Sequence, residues 1–352
     1  MKSAIVTGVT GQDGSYLSEL LLSEGYFVYG GLRRNSDFTT DRINHIFDHP
    51  NFKAFNFDSV DPNSAIQTII KSKPNLFFNL AAMSHVGTSF DLPNYAGLAD
   101  GLGVVGLIEI LRLYAPDCVF YQASTSELFG GELGQSPQDL DTRFDPRSPY
   151  AVAKQMAYYA TLNARRRGDL MTVNGILFNH ESPRRGKTFV TKKITRHVGS
   201  LKRQGNQNIL ELGNLSAVRD WGYAPDYVQI MYDSVINPTD DVYCCGTGIG
   251  KTVRQFCSLA FNAIGIELIF HGEGLDEKGY NSKTGEVLIT VNEKYYRPLE
   301  VECLIAGLKG NKLMNTKHFN LDELVSEMVD YDIKNDKYGA NENEVRHSRF
   351  WK

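Results

Sequence analysis

Three features of this 352-residue chain predict an α/β protein built on a doubly wound parallel sheet. A short apolar strand, Ala4-Ile5-Val6-Thr7, runs straight into a glycine turn and then into leucines at helical spacing. Apolar runs of strand length then alternate with helical segments as far as about residue 170. Tyr150 and Lys154 stand one helical turn apart just after Pro149, a residue suited to the first position of a helix. Such alternation implies right-handed crossovers and a ligand crevice at the carboxyl ends of the strands.

The turn after the first strand reads Gly8-Val9-Thr10-Gly11-Gln12-Asp13-Gly14, followed by Tyr16, Leu17, Leu20, Leu21 and Leu22. Glycines there let the backbone approach a pyrophosphate, and the helix that follows offers free N–H groups and the positive end of its dipole. The G-x-x-G-x-x-G spacing is a weak signal alone; its strand-to-helix setting makes it a Rossmann-type dinucleotide site. A second strand over residues 26–30 ends where an NAD-binding protein usually places an acid for the adenine ribose. Leu32-Arg33-Arg34-Asn35-Ser36 stands there instead. Two guanidiniums and small hydrogen-bonding side chains suit a ribose 2′-phosphate, so NADP is the expected cofactor, with a solvated basic loop as the alternative.

Residues 52–57 form a strand reaching Asp58, which could hold the adenine edge, and 65–70 a helix. Leu76-Phe77-Phe78-Asn79-Leu80 is a buried-type strand opening into Ala81-Ala82-Met83-Ser84-His85, small residues over which a cofactor can lie flat. A long helix with glycines is expected over 95–114 and the next strand over 118–123. That strand leads to Thr125 and Glu127, at the crevice edge.

A free phenol has a pKa of about 10, and an adjacent ammonium favours the phenolate. Tyr150 beside Lys154 can therefore take a proton from a sugar or alcohol hydroxyl, Thr125 can share that proton, and Glu127 adds a carboxylate. The competing reading is a surface helix with an accidental pair; the glycine turn and strands before it favour the site.

A further strand covers 171–178, followed by Asn179-His180-Glu181-Ser182-Pro183-Arg184-Arg185-Gly186-Lys187. His180 is a candidate cofactor contact or a satisfied structural histidine. Lys187, Lys192, Lys193, Arg196, Lys202 and Arg203 form a basic stretch that suits a ligand diphosphate or a solvated helix face. Arg219-Asp220-Trp221 and Tyr296-Arg297-Pro298-Leu299-Glu300 are compact polar clusters of the kind that line a substrate site. Gly246-Thr247-Gly248-Ile249-Gly250-Lys251-Thr252 imitates a phosphate-binding loop, but Cys245 occupies the place of its first glycine, and a plain strand-to-helix turn is expected. The expected organisation is a dinucleotide-binding domain over 1–179, with a return of the chain near 215–260, and a smaller interleaved α/β substrate domain over 180–352.

Apolar residues make up 42% and charged residues 22% of the chain, an ordinary globular balance. A net charge of −4 gives no reason to expect nucleic acid or an anionic membrane as partner. Cys118, Cys244, Cys245, Cys257 and Cys303 contain no C-x-x-C pair and read as reduced thiols of a cytoplasmic protein. The start enters a strand directly, unlike a signal peptide, no apolar run approaches the ~20 residues of a membrane span, and no H-x-x-x-H pair argues for a metal.

With the glycine turn, Thr125, Tyr150 and Lys154 in place, the chain resembles the extended short-chain dehydrogenase/reductase family of nucleotide-sugar enzymes. Within it, residues 10–17, 122–128, 174–186 and 219–222 are most similar to the GDP-mannose 4,6-dehydratase family. The resemblance runs to about Asp332. It implies conversion of GDP-mannose to GDP-4-keto-6-deoxy-mannose and water by internal hydride transfer through bound NADP, in GDP-deoxysugar biosynthesis of the GDP-fucose or GDP-rhamnose type. Its catalytic set falls on Thr125, Glu127, Tyr150 and Lys154. Its NADP contacts fall on Gly8, Gly11, Gln12, Asp13, Arg33, Arg34, Asn35, Ser36, Asp58 and Ser59. Further along they fall on Leu80, Ala81, Ala82, Ser84, Tyr95, Lys154, His180 and Arg185. Its GDP-sugar contacts fall on Ser84, Glu127, Asn179, Lys193, Arg219, Arg297 and Glu300. It further implies a homotetramer or homodimer, with the segment around residues 33–42 reaching a neighbouring subunit's cofactor site. The chain departs from the family pattern at Met83, Phe129 and Gly131 and over 304–317. GDP-heptose dehydratases share most of these motifs and are one alternative; a non-catalytic NADP-binding regulatory homologue and a GDP-rhamnose-forming reductase are the others.

Overall fold

The computed structural model describes residues 1–34, 39–205, 208–314 and 319–335. The described chain divides into two compact units, one of residues 1–180, 220–250 and 301–314, the other of 181–219, 251–300 and 319–335.

The first unit holds seven parallel strands, β1 (Ser3–Thr7), β2 (Phe27–Leu32), β3 (Phe52–Asn56), β4 (Leu76–Asn79), β5 (Val119–Thr125), β6 (Thr172–Leu177) and β7 (Val242–Cys245). Their order in the sheet is β7-β6-β5-β4-β1-β2-β3. The chain winds outward from β1 in both directions, so a crevice opens at the carboxyl ends between β1 and β4. Helices α1 (Gln12–Ser23), α2 (Ile66–Ser72), α3 (Gly103–Tyr114), α4 (Pro149–Arg166) and α5 (Ala224–Ile236) flank the sheet.

Side-chain alternation explains the two faces. Ala4 and Val6 pack with Leu17 and Leu21 of α1 and with Tyr227, Val228 and Met231 of α5. Ile5 points the other way, into a core with Ile69 of α2, Val104, Leu107 and Leu111 of α3 and Ala157 of α4. Buried on both faces, β1 reads as an unbroken apolar run rather than an alternating one.

Residues 301–314 belong to this unit and cover the edge of β7. Cys244 N–H donates to Gly310 O at 2.8 Å and Lys312 N–H to Cys244 O at 3.0 Å. Gln138 donates through Nε2 to Cys303 O at 2.9 Å and accepts from Ile305 N–H at 3.0 Å. Pairing removes the row of free backbone groups that an edge strand presents.

The single helix expected over 95–114 is broken. A short helix, Pro93–Gly97, passes into a π-helical turn, Leu98–Leu102, before α3 begins. Crowding around the glycines accounts for the break: a Cβ on Gly103 would meet Ser59 O at 1.9 Å, and one on Gly101 would meet Ala153 O at 3.3 Å.

The loop after β7 is held by Asp220. Oδ1 accepts from Thr247 N–H at 2.9 Å and Thr247 Oγ1 at 2.6 Å; Oδ2 accepts from Gly248 N–H at 2.8 Å and Ala306 N–H at 3.1 Å. Amides that would cradle a phosphate in a phosphate-binding loop are here satisfied by this chain's own buried carboxylate.

The second unit has a four-stranded sheet in the order Leu268–His271, Lys278–Asn281, Val287–Val291, Leu210–Leu212. Its helices are Val190–Gln204, Val253–Asn262 and Leu321–Asn335. Lys192 Nζ pairs with Asp332 Oδ1 at 2.6 Å, and Thr195 Oγ1 donates to Asp332 Oδ2 at 2.7 Å, joining the last helix to the first. Arg203 also donates to the Asp332 backbone carbonyl, so the basic stretch is not one solvated face. Among the described residues no helix is long and apolar enough to cross a membrane, and no three His, Cys, Asp or Glu side chains cluster as metal ligands would.

Candidate active site

Parallel register aligns one polar residue from each of three central strands. Thr7 lies beside Asn79, and Asn79 beside Gln122. Thr7 Oγ1 donates to Asn79 Oδ1 at 2.9 Å, and Asn79 Nδ2 donates to Gln122 Oε1 at 2.9 Å. Thr7 Oγ1 also accepts the N–H groups of Leu80 and Ala81, each at 3.2 Å. Gln122 Nε2 donates to Ala123 O at 3.0 Å, and the same carbonyl accepts from Lys154 Nζ at 3.0 Å. This buried row links the floor beneath the glycine turn to the lysine of α4 and fixes the carboxyl ends of the strands. In the sequence its only signal is Asn and Gln inside otherwise apolar strands, and it was missed there.

Pro149 is the first residue of α4, and Ser148 Oγ caps the helix by accepting Ala151 N–H at 3.1 Å. Tyr150 and Lys154 therefore lie on one face, both buried, with Nζ 5.8 Å from the Tyr150 ring centroid. Burial lowers the Lys154 pKa, and the Asp100 carboxylate opposes that fall. Thr125 ends β5, and its Oγ1 accepts Glu127 N–H at 3.2 Å, which starts the single turn Ser126–Phe129 and holds Glu127, buried, at the strand end. All four expected catalytic residues thus lie within the first unit: two at the end of β5 and two on the helix that packs against it.

Gly8 adopts φ +69°, and Gly11 N–H donates to Gly8 O at 2.9 Å to close the turn before α1. A Cβ on Gly8 would meet Ala81 N at 2.9 Å, and one on Gly14 would meet Gly8 O at 2.3 Å. Only glycine keeps this backbone open to a diphosphate at the start of α1. Gln12 Nε2 donates to Asp13 Oδ1 and to His180 O, each at 3.1 Å. His180 lies 2.9 Å from Asp13 Oδ2 through Nε2 and 2.8 Å from Phe178 O through Nδ1, and stacks on Tyr227 with centroids 4.4 Å apart. It thus braces the glycine turn from the end of β6.

Arg33 Nη1 donates to Tyr95 Oη at 2.8 Å, bringing two expected cofactor contacts together, and Arg34 is exposed beside it. Arg42 donates to Thr10 O of its own glycine turn at 3.0 Å. Asn35 and Ser36 lie outside the described residues. Asp58 accepts Val60 N–H at 3.1 Å, Ser59 abuts Gly103, and Leu80, Ala81 and Ala82 are half-buried at the end of β4, with Ser84 exposed beyond them. Asn179 O accepts Gly222 N–H at 2.9 Å.

In the second unit Lys193 Nζ donates to Glu211 O at 2.6 Å and lies 3.7 Å from the centroid of the Tyr295 ring, its pKa lowered by burial. Arg297 N–H donates to Glu300 Oε1 at 2.7 Å. Arg219 is buried and donates to Val218 O at 2.8 Å. Arg185 pairs with Glu181 at 3.1 Å and stacks on Phe189 at 3.9 Å.

A doubly wound sheet with a glycine turn after β1 and a Tyr–Lys pair on the helix after β5 defines a short-chain dehydrogenase/reductase fold. Solved structures of this fold superpose on nearly the whole chain. With dTDP-glucose 4,6-dehydratase of Bacillus anthracis, in complex with NAD, the TM-score is 0.77 at 18% identity, covering 96% of this chain and 99% of that one. With UDP-glucose 4-epimerase of Thermus thermophilus, in complex with NAD, it is 0.75 at 20% identity, covering 94% and 98%. The family model for GDP-mannose 4,6 dehydratase matches residues 5–328. GDP-mannose 4,6 dehydratase 2 of Caenorhabditis elegans is 46% identical over 343 residues, 94% of this chain and 89% of its own length. The GDP-mannose 4,6-dehydratase of Vibrio cholerae is 42% identical over 352 residues (95% and 94%), and the human protein 43% identical over 341 residues (94% and 91%). The chain belongs to the GDP-mannose 4,6 dehydratase family.

Proposed function

We propose that this protein converts GDP-mannose to GDP-4-keto-6-deoxy-mannose and water, using a tightly held NADP that is regenerated in each turnover. The carrying observation is the joint presence, at the carboxyl ends of the strands, of the Tyr150–Lys154 pair and a buried Glu127. A plain epimerase or dehydrogenase has no need of the carboxylate; a dehydratase does.

The glycine turn, open only because Gly8 and Gly14 lack Cβ atoms, fits a dinucleotide diphosphate. Arg33 and Arg34 favour a 2′-phosphate on its ribose. Gly8, Gly11, Arg33 and Arg34 would hold the cofactor, which when bound would supply the hydride chemistry between carbon 4 and carbon 6 of the sugar. Tyr150, held toward phenolate by Lys154, takes the proton of the 4-hydroxyl, with Thr125 steadying that oxygen. A ketone at carbon 4 acidifies carbon 5, and Glu127 removes that proton and delivers it to the 6-hydroxyl, which leaves as water. Tyr150 returns its proton to carbon 5, so every atom is accounted for. Lys193, Arg219, Arg297 and Glu300 are the second unit's candidates for GDP-sugar contacts, and Ser84 and Asn179 the first unit's.

We infer a homodimer or homotetramer as well: α4 presents Val152, Met156 and Tyr159 at helical spacing, 55%, 46% and 53% exposed. The buried, unpaired thiols of all five cysteines suit a reducing cytoplasm.

The test is incubation with GDP-mannose without added reductant, followed by mass. Loss of one water with no net change in NADPH is expected. An unchanged mass with the cofactor bound overturns the assignment, and stoichiometric NADPH consumption would mark a reductase instead.

A further inference from the structure

We propose that His180 is held as an imidazolium against Asp13, which makes the pair electrically neutral and lets the diphosphate of a dinucleotide settle at the start of α1 without facing a bare carboxylate. His180 is a positioning residue for the cofactor, acting through Asp13. This deepens the proposed function and rests on its placing of the cofactor diphosphate at the glycine turn.

The sequence sets a conflict at this turn. Asp13 lies in the first turn of α1, where the helix dipole favours an anion. A diphosphate needs the same positive end, so an aspartate there competes with the ligand and repels it. The contacts of His180 remove the conflict. Its Nδ1 lies 2.8 Å from Phe178 O and its Nε2 2.9 Å from Asp13 Oδ2. A backbone carbonyl has no hydrogen to give, so Nδ1 carries one. A neutral imidazole has a single N–H, and its Nε2 would then turn a lone pair toward a carboxylate. One further proton between Nε2 and Oδ2 satisfies both atoms, and wherever in that bond it sits, the pair has no net charge.

Burial makes that proton hard to give up. His180 is 7% exposed, and loss of the proton would leave an anion in a site largely shut from water. The imidazole stacks on the Tyr227 ring, centroids 4.4 Å apart, an aromatic face that favours a cation. Gln12 holds both partners in place, since its Nε2 donates to Asp13 Oδ1 and to His180 O.

Other titratable and charged groups on the surrounding elements leave the pair its role. Burial raises the pKa of Tyr121 on β5 and of Cys245 on β7, which keeps both neutral. Asp220 is committed to the loop after β7. Glu181, next in the chain, accepts from Thr191 Oγ1 at 2.6 Å and pairs with Arg185. Asp226 and Tyr227 lie near the start of α5, and Arg42 donates to Thr10 O of the glycine turn.

The test measures the Kd of NADP⁺ and of NAD⁺ by titration calorimetry on the full chain freed of bound dinucleotide, in a double-variant cycle. His180→Asn keeps a donor for Phe178 O and leaves Asp13 charged, so binding should weaken about tenfold. Asp13→Asn can still accept from Gln12 and can donate to a neutral His180, so its affinity should stay within about twofold of wild type. The double variant carries no charge here and should bind nearly as well as Asp13→Asn alone. Additive losses, which a merely structural role would give, would overturn the proposal. A pH series gives a second decision should His180→Asn not fold. Between about pH 6 and about pH 9 the wild type should lose affinity as the pair gives up its proton and becomes an anion, while Asp13→Asn should not. Parallel curves for the two proteins would overturn the proposal. Dinucleotide binding without dehydration of GDP-mannose would sink the proposed reaction and leave the cycle to decide on His180; a wild type that binds neither dinucleotide would overturn both.

Discussion

In the proposed mechanism, Glu127 is the side chain that separates elimination of water from simple oxidation. Glu127→Gln keeps the shape and removes the base, so a slow oxidation at carbon 4 should persist, seen as NADPH absorbance in a single turnover. Dehydration should fall by at least about a hundredfold by mass; a near wild-type rate would show that another group takes the carbon 5 proton. His197, on helix Val190–Gln204, offers a second test at this scale. Its Nε2 is buried without a partner, and burial, aided by the Lys193 charge, pushes its pKa down to about 4. An unfolded histidine titrates near ~6.5, so between that pH and about 4 the unfolded chain binds a proton that the fold refuses. Stability should be full above pH ~6.5 and fall by about 3 kcal/mol on acidification to pH ~4. In His197→Leu that part of the fall should vanish, which urea midpoints of the two proteins at matched pH will show. The placement of Tyr150 and Lys154 on one helix face and of Thr125 and Glu127 at a strand end was legible in the sequence because its signals are short-range: a proline, a helical spacing, the end of a strand. Thr7, Asn79 and Gln122 were not, because their partnership depends on a register between strands 72 and 43 residues apart.

Among the elements, α4 carries the most weight in the proposed mechanism. Ser148 caps it, and Ser148→Ala should cost about 1 kcal/mol by urea denaturation while lowering turnover, because the first turn that frays contains Tyr150. The loop after β7 is a second case. Asp220 accepts four hydrogen bonds there, and Asp220→Asn exchanges an acceptor oxygen for a donor facing either two N–H groups or an N–H and a hydroxyl. A loss of about 2–4 kcal/mol is expected, read as a lowered urea midpoint at unchanged slope. Cys245 in place of the first glycine warned that residues 246–252 were no phosphate loop; that a carboxylate from residue 220 would fill the turn could not be seen locally. The long helix over 95–114 misled for a related reason. Its glycines read as tolerated helix interior, whereas Gly103 lies where the Ser59 carbonyl comes too near for a Cβ and Gly106 where the Pro62 ring does.

At the scale of the whole molecule, alternation of strand and helix made the parallel sheet legible, as period and length are written locally. The share of residues 301–314 in the first unit was not legible, since nothing in their composition announces where they pair. The proposed self-association belongs to this scale too. Met156→Glu with Tyr159→Asp on α4 should reduce the mass measured by light scattering to that of one chain, and an unchanged mass would move the interface elsewhere.

The interleaving of the two units bears on how the protein is made. A ribosome releases β1 to β6 long before β7, and the segment that seals β7 comes only near residue 311. At ordinary elongation rates of about 5–20 residues per second, the outer side of β6 stays bare for several seconds, an adhesive edge in a crowded cell. Nascent chains of this length should therefore be clients of holding chaperones. A premature stop codon after residue 300 would remove not a dispensable tail but the seam of the nucleotide-binding sheet.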